Sequence, residues 1–124
     1  MNLAEMLNED RMRIIQEYVP GCQVTLAHII ASPDKILYQK LGLDPKIDYE
    51  KAAIGVVTVT PSETAIIMAD VALKASGITL GFVDRFSGSL IITGTVSEVQ
   101  AAMEAQLDYV KEKLNYTVCP ITKT

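Results

Sequence analysis

The pattern of apolar and polar side chains along the chain predicts four strands. Residues 23–30 alternate at first and then become continuously apolar, and residues 52–60 are rich in β-branched side chains. Both patterns are typical of strands with at least one covered face. Residues 78–83 and 89–94 predict two further strands. Residues 84–88 between them form a connection short enough for a hairpin.

A short helix is predicted directly after the first of these strands. Ser32 can cap its N-terminus, with Pro33 at the first helical position, where a missing N–H costs nothing. Gly42 supplies the stop signal. The helix is expected to lie on the sheet through three apolar side chains, those of Ile36, Leu37 and Leu41.

Two longer helices are predicted from capping-box sequences, in which two side chains satisfy free backbone donors of the first turn. Residues 60–63 predict a helix that runs to about Ser76, and residues 97–100 predict one that runs to about Leu114. The side chains expected to face the core are Ala65, Ile66, Ala69, Ala72 and Leu73 in the first helix and Val99, Ala102, Met103, Gln106 and Val110 in the second.

The order strand, helix, strand, helix, hairpin, helix favours one sheet covered by helices, an α/β or α+β fold. Residues 23–124 are therefore interpreted as a single domain, and a chain of 124 residues can support a modest core. Residues 1–10 lack a clean period and are expected to form a flexible N-terminal arm. Residues 11–22 hold a charged strand, typical of an edge or a self-pairing element, and a Pro-Gly turn.

Composition excludes several classes of function. The net charge of −4, from 11 basic and 15 acidic side chains, provides no field that would gather nucleic acid. No apolar run is long enough for a membrane span, so a cytoplasmic protein is expected. Cys22 and Cys119 form no CxxC pair and are expected to be reduced thiols. His28 is the only histidine and lies among apolar strand residues, so we expect a hydrogen-bonded strand residue and no metal, cofactor or catalytic set.

Five stretches of the chain, read in order, resemble one family of proteins. The stretches are IQEYVPG at 15–21, QVTLAH at 23–28, TPSETA at 60–65, GFVDRFSG at 81–88 and NYTVCPIT at 115–122. Together they resemble the shell proteins of bacterial microcompartments. Within that family they are most similar to the circularly permuted hexameric branch, which contains the ethanolamine-utilisation S-type, propanediol-utilisation U-type and choline-utilisation proteins. Five matches in the family's order are more specific than any single motif.

The resemblance implies a permuted ferredoxin-like domain with an antiparallel sheet flanked by helices. It also implies a homo-hexamer that tiles with other shell proteins around an aldehyde-producing catabolic pathway, with enclosed enzymes as further partners and no catalysis of its own. The charged N-terminal strand is expected to join five copies of itself in a small β-barrel over the ring axis, which removes exposed strand edges. The barrel strand consists of Arg13, Ile14, Ile15, Gln16, Glu17 and Tyr18.

Lys74 corresponds to a lysine that members of this family use where neighbouring hexamers meet. A flexible side chain with a mobile charge suits a contact that is repeated across a two-fold axis. The alternative is a solvated lysine that is favourably placed near the C-terminal end of a helix.

The hairpin loop corresponds in position to the loop that lines the pore in unpermuted relatives. Its residues are Asp84, Arg85, Phe86, Ser87 and Gly88. The sequence lacks the lysine and alternating glycines of the common pore loop, so solute selectivity is not carried over. In the alternative, Asp84 and Arg85 form an ion pair that orders the hairpin or a subunit interface. An oligomeric small-molecule-binding regulator also stays open, because ferredoxin-like domains often bind metabolites between subunits.

Overall fold

The computed structural model describes residues 22–50 and 52–124. The strands are β1 Gln23–Ile30, β2 Ala53–Thr60, β3 Thr79–Asp84, β4 Ser89–Gly94 and β5 Thr122–Lys123, and the helices are α1 Lys35–Lys40, α2 Thr64–Ala75 and α3 Val96–Leu114. The four strands predicted from the sequence are confirmed to within one residue at each end. The predicted arm at 1–10 and the predicted barrel strand Arg13–Tyr18 lie outside the described residues.

The strands form one sheet in the order β3-β4-β2-β1-β5. β1, β2, β4 and β3 pair antiparallel with their neighbours. β5 pairs parallel to β1, with His28 opposite Thr122 and Ile29 opposite Lys123. The sheet is therefore mixed, and the expectation of a wholly antiparallel sheet holds for four of its five strands.

Side chains on the two faces of the sheet belong to two separate cores. On one face, Val57 and Val59 of β2 pack in a large core with α2 and α3. On the other face, Ile54 packs in a smaller core with Tyr38 of α1 and Leu43. Because successive strand residues point to opposite faces, β2 is covered on both sides, as its continuous apolar sequence indicates.

The short helix α1 begins later than the sequence predicted. Asp34 is its N-cap, and the N–H of Ile36 donates to Asp34 Oδ1 (3.0 Å). The predicted cap at Ser32 was wrong, because Asp34, beyond Pro33, lies directly before the first helical residue. Of the three side chains predicted to lie on the sheet, Leu37 packs against the smaller core, whereas Ile36 and Leu41 are exposed and Tyr38 is buried instead. Gly42, with φ of +73°, ends it as predicted.

Helix α2 has no capping box. Glu63 is its N-cap and makes no side-chain cap bond, while Thr60 still belongs to β2 and pairs with Gln23. The predicted box at 60–63 was wrong because the strand continues through its first residue. The first turn is instead closed by the N–H of Thr64, which donates to the carbonyl of Pro61 (3.0 Å).

The buried stripe of α2 consists of small residues and one methionine. Its core-facing residues are Ala65, Met68, Ala69 and Ala72. This i, i+3, i+4, i+7 spacing leaves Ile66 and Leu73 off the stripe, with exposed fractions of 52% and 50%. The prediction that these two residues are buried was wrong for the isolated chain.

Helix α3 opens with a capping box two residues earlier than predicted. The N–H of Thr95 donates to Glu98 Oε1 (2.9 Å), and the N–H of Glu98 donates to Thr95 Oγ1 (3.2 Å). The predicted box at 97–100 was therefore wrong, but the predicted end at Leu114 is confirmed. All five side chains that were predicted to face the core from this helix are buried.

Candidate functional site

The hairpin loop between β3 and β4 is ordered by one carboxylate. Asp84 Oδ1 accepts hydrogen bonds from the N–H groups of Phe86 (2.8 Å) and Ser87 (3.3 Å). The Phe86 bond and then those from Ser87 hold the pKa of Asp84 below its ordinary value. Within the described residues the ion pair considered between Asp84 and Arg85 does not form. Backbone donors, and not the guanidinium, satisfy this carboxylate.

Gly88 fixes the end of the loop against β2. The N–H of Val59 donates to the carbonyl of Gly88 (2.9 Å), and the N–H of Gly88 donates to the carbonyl of Asp84 (2.9 Å). Gly88 has φ of +77°, and a Cβ atom there would lie 2.1 Å from the Val59 carbonyl oxygen and 3.2 Å from the Ser62 Cα. The loop is therefore hydrogen-bonded to β2 and lies close to the turn before α2.

Phe86 is displayed to solvent by this rigid loop. Its exposed fraction is 82%, well above that of any other large apolar side chain in residues 22–50 and 52–124. The guanidinium carbon of Arg85 lies 5.0 Å from its ring centroid, a cation–π contact. Because the loop backbone cannot collapse onto the domain, Phe86 stays uncovered in the isolated chain.

Lys74 lies in the last turn of α2 and points into solvent. Its Nζ donates to Asp70 Oδ2 (2.7 Å), and the two side chains are 74% and 59% exposed. The hydrogen bond to Asp70 raises the pKa of Lys74 above its ordinary value, so the lysine is fully charged near neutral pH. An exposed pair of this kind adds little to stability, so Nζ is free to exchange Asp70 for another acceptor.

The hairpin loop and Lys74 lie at opposite ends of α2. A Cβ atom added at Gly88 would lie 3.2 Å from the Cα of Ser62, just before the helix starts, and Lys74 is one residue from the end of the helix. At about 1.5 Å of rise per residue, the helix separates Glu63 from Lys74 by roughly 16 Å along its axis. A subunit that used both sites for contacts would therefore use them on different sides.

The solvent-exposed side of α2 between these two sites carries three large apolar side chains, which lie on either side of the exposed Asp70–Lys74 ion pair. We call it the outer face of α2; it consists of Ile66, Ile67 and Leu73, with Tyr109 of α3 beside it. Beside Tyr109 and Ile67 lies a shallow depression of about 330 Å³ that also touches Lys74. The sequence carried a signal for this surface, because two adjacent isoleucines in a helix cannot both point into one core stripe.

His28 and the two cysteines take structural positions. The imidazole of His28 bonds to the hydroxyl of Thr122 through Nδ1 and to that of Thr124 through Nε2 (2.9 Å). His28 therefore fastens β5 to β1, which confirms the predicted hydrogen-bonded strand residue. Cys22 and Cys119 form no disulfide within the described chain.

A surface depression of about 540 Å³ lies beside two stacked tyrosines. The rings of Tyr38 and Tyr49 are 4.3 Å apart and nearly parallel. The Tyr38 hydroxyl donates to the carbonyl of Ala52 (2.9 Å), and the Tyr49 hydroxyl donates to that of Asp44 (2.9 Å). Burial raises the pKa of both hydroxyls.

No group of His, Cys, Asp and Glu side chains in the described ranges could hold a metal ion. None of the helices described is both long enough and apolar enough to span a membrane. The described residues instead include three exposed features: the side chain of Phe86, the outer face of α2, and the charged end of α2 at Lys74. These features define a class of small domains that work through contacts between protein surfaces.

Comparison with known proteins places the chain more narrowly. The family model described as the BMC domain matches residues 53–122, and the chain belongs to this family. It is 49% identical over 115 residues to the bacterial microcompartment shell protein EutS of Escherichia coli strain K12, covering 93% of this chain and 99% of that protein. It is 48% identical over 112 residues to the shell protein PduU of Salmonella typhimurium, covering 90% of this chain and 93% of that protein.

Solved structures agree with this assignment. The chain matches the CutR flat hexamer, form 1, with a TM-score of 0.77 and 48% identity, covering 90% of this chain and 99% of that chain. CutR of Streptococcus intermedius is itself named a bacterial microcompartment shell protein, and it is 49% identical to this chain over 112 residues, 90% of this chain and 92% of CutR. A fused permuted hexameric shell protein, MSM0275, shares the fold at 19% identity, with a TM-score of 0.64, over 72% of this chain and 46% of that chain. The family and the permuted fold expected from the five sequence stretches are confirmed.

Proposed function

We propose that this chain is a structural shell subunit of a bacterial microcompartment. Six copies close into a ring, and rings tile with one another and with other shell proteins. The observation that carries the proposal is the match to a CutR hexamer along almost all of that chain. The enclosed pathway would be the aldehyde-producing breakdown of ethanolamine, propanediol or choline, inside a shell in the cytoplasm, and the enclosed enzymes would be further partners.

The outer face of α2 supports assembly independently of the comparisons. Ile66 and Leu73 are about half exposed, whereas most of the core-facing residues of the same helix are alanines. This arrangement does not stabilise an isolated domain, because the larger apolar side chains remain in water. Large apolar side chains that share one exposed surface are typical of protein–protein contacts. Neighbouring subunits in a ring would cover this surface.

The two ends of α2 suit the two kinds of contact that a shell subunit makes, those within a ring and those between rings. In a ring, copies of one residue can all meet only near the axis, while contacts between rings lie at the rim. The hairpin loop and Lys74 are separated by the length of α2. We therefore assign the loop Asp84–Gly88 to the axial side and Lys74 to the rim.

We propose that the N-terminal barrel strand also lies on the ring axis. The barrel strand Arg13–Tyr18 stays a prediction that rests on the resemblance. Cys22, the first described residue, is anchored in the domain, because its carbonyl accepts the N–H of Thr117 (3.0 Å). Cys22 directly precedes Gln23, which forms an isolated parallel bridge with Thr117.

Charge reversal at the rim tests the proposal. Lys74→Asp is expected to abolish extended sheets and leave the six-subunit ring intact, because it places like charges across a repeated two-fold contact. Electron microscopy of the purified protein shows whether extended protein sheets form, and sedimentation shows whether the six-subunit ring is intact.

A matched variant controls for the change in net charge. Lys111 is also an exposed lysine in the last turn of a helix, α3, and Lys111→Asp is expected to leave the sheets as they are. Lys74→Gln removes the charge without adding a second acid beside Asp70, which separates repulsion across the contact from repulsion within α2. Unchanged sheets in Lys74→Asp would rule out the rim assignment.

A further inference from the structure

We infer that Gln106 is a positioning residue, which fixes the register of α2 on α3 and so holds Lys74 in place for contacts at the rim. This role rests on the proposed function, because Lys74 matters here as a rim residue. Gln106 has no exposed surface, although it is polar and lies in the middle of α3. A glutamine is seldom buried so completely, so its place in the core needs a physical reason.

The side chain of Gln106 makes one hydrogen bond, and that bond joins two helices. Its Nε2 donates to the carbonyl of Met68 in α2 (2.8 Å). Its Oε1 is buried and has no hydrogen-bond partner among the residues that the structure describes. The Met68 carbonyl lies inside α2, where it also accepts the helical N–H four residues further on. A bond that leaves one buried polar atom unpaired adds little net stability, so its effect is on the direction of packing.

The apolar contact between α2 and α3 defines their register only weakly. The side of α2 that faces the core consists of three alanines and Met68. Alanines present a smooth surface, and the flexible thioether of methionine adapts to different neighbours. Sliding α2 along α3 would therefore cost little in apolar packing. A directional bond at the centre of the contact removes this freedom, as a single buried polar residue does in a coiled coil.

Helix α3 is held closely on the sheet, so a change of register would move α2. A Cβ atom added at Gly55 of β2 would lie 2.7 Å from Val99 Cγ1 and 2.9 Å from Met103 Sδ. Both neighbours belong to α3, and the second is one turn from Gln106. The amide of Gln106 thus projects toward α2 from a helix whose own position is fixed.

Two further hydrogen bonds tie the ends of α2 to the α3 region. The hydroxyl of Thr64 bonds to that of Tyr116 (2.8 Å), and Ser76 Oγ donates to the carbonyl of Glu98 (2.8 Å). Both bonds are only partly buried, so water can replace them in another register. The bond of Gln106 is fully buried. A shifted register would leave its amide without any partner in the core, which is strongly disfavoured.

The register decides the shape of the surface beside Lys74. The depression of about 330 Å³ is lined by Ile67, Asp70 and Lys74 of α2 and by Tyr109 of α3. A slip of one helical turn, about 5.4 Å, would carry Lys74 past Tyr109. A contact that is repeated at every rim needs one shape in all copies, and Gln106 supplies it.

Replacing the amide with an apolar side chain of similar size tests this role. Gln106→Leu removes the bond and also the unpaired oxygen, so the urea midpoint at equal protomer concentration is expected to be unchanged or higher. The methyl NMR signals of Met68 and Met103 are expected to double or broaden, because more than one register becomes populated. Extended sheets are expected to fall severalfold in electron micrographs, while the mass of six subunits is kept.

Gln100→Leu is the matched control. Gln100 is a half-buried glutamine of the same helix, and it bonds to Glu104 and Lys123 but not to α2. Its replacement is expected to keep single methyl signals and unchanged sheets. Gln106→Met is a second variant at the buried position, because its side chain is unbranched like that of glutamine and repeats the test without the branch of leucine.

The outcomes separate this role from the proposed function. One set of methyl signals with unchanged sheets overturns it, and so does a lower urea midpoint or failure to fold in both variants at position 106, which marks an ordinary stabilising bond. Doubled signals with unchanged sheets overturn the link between the register and the rim. An unmodified protein that forms no extended sheets overturns the rim role of Lys74, and the methyl signals then still decide whether Gln106 fixes the register.

Discussion

Gly88→Ala is expected to lower the free energy of unfolding by about 2–5 kcal/mol. The left-handed backbone at φ of +77° costs an L-residue about 1–2 kcal/mol. The added methyl group also meets the Val59 carbonyl oxygen at 2.1 Å, and overpacking of this kind costs about 1–3 kcal/mol. The clash is with backbone, so no side chain can rotate away from it.

Gly42 provides the matched control for this variant. Its φ is +73°, nearly that of Gly88, but a Cβ atom there has nothing within 4 Å. Gly42→Ala is therefore expected to cost only the conformational part, about 1–2 kcal/mol. Urea unfolding at equal protomer concentration measures both variants. Equal losses would show that the contact between the loop and β2 is not formed in solution.

Ile54→Ala is expected to cost about 2–5 kcal/mol, the range for truncating a fully buried aliphatic side chain. Ile54 has no exposed surface and lies in the smaller core with Tyr38, Leu43 and Ile91. That core holds α1 on the sheet, so its loss should free α1 before the rest of the domain unfolds. Hydrogen exchange of α1 amides and urea unfolding give the two measurements.

Ile36→Ala is the control within the same layer. Ile36 lies on α1 but is 55% exposed, so its truncation is expected to change the free energy of unfolding by less than about 0.5 kcal/mol. The sequence pattern had placed Ile36 against the sheet. A loss as large as that of Ile54→Ala would favour the sequence-based orientation of α1 over the structure.

The four longer strands were the most predictable part of the fold. β2 and β4 were located to within one residue because their apolar runs are bounded by turn residues. The hairpin of β3 and β4 followed from the shortness of its loop. β5 has two residues and joins β1 in parallel, and a strand that short has no period for a pattern to reveal.

Helix starts were less predictable because capping motifs compete with other uses of the same residues. Thr60 fits a capping box in sequence, but pairing with Gln23 keeps it in β2. Ser97 fits another, but Thr95 and Glu98 close a complete box first. In each case the local sequence permits two arrangements of the same residues. The residue at which the preceding strand ends decides which arrangement forms.

The candidate site was only partly predictable for a related reason. The position of Lys74 followed from the family resemblance, whereas its pairing with Asp70 and the rigid display of Phe86 appear only in the structure. Ile66 was assigned to the core because an apolar residue was assumed to face inward. In a chain that assembles, apolar surface is divided between the core and contacts with other copies.

The most direct test of the proposed six-subunit ring is the mass of the purified, unmodified protein in dilute solution. Native mass spectrometry together with sedimentation is expected to show a complex of six identical subunits, as in the CutR hexamers that this chain matches. A protein that stays monomeric over the whole accessible concentration range would contradict the ring, and with it the assignments of Lys74 to the rim and of the loop Asp84–Gly88 to the axial side.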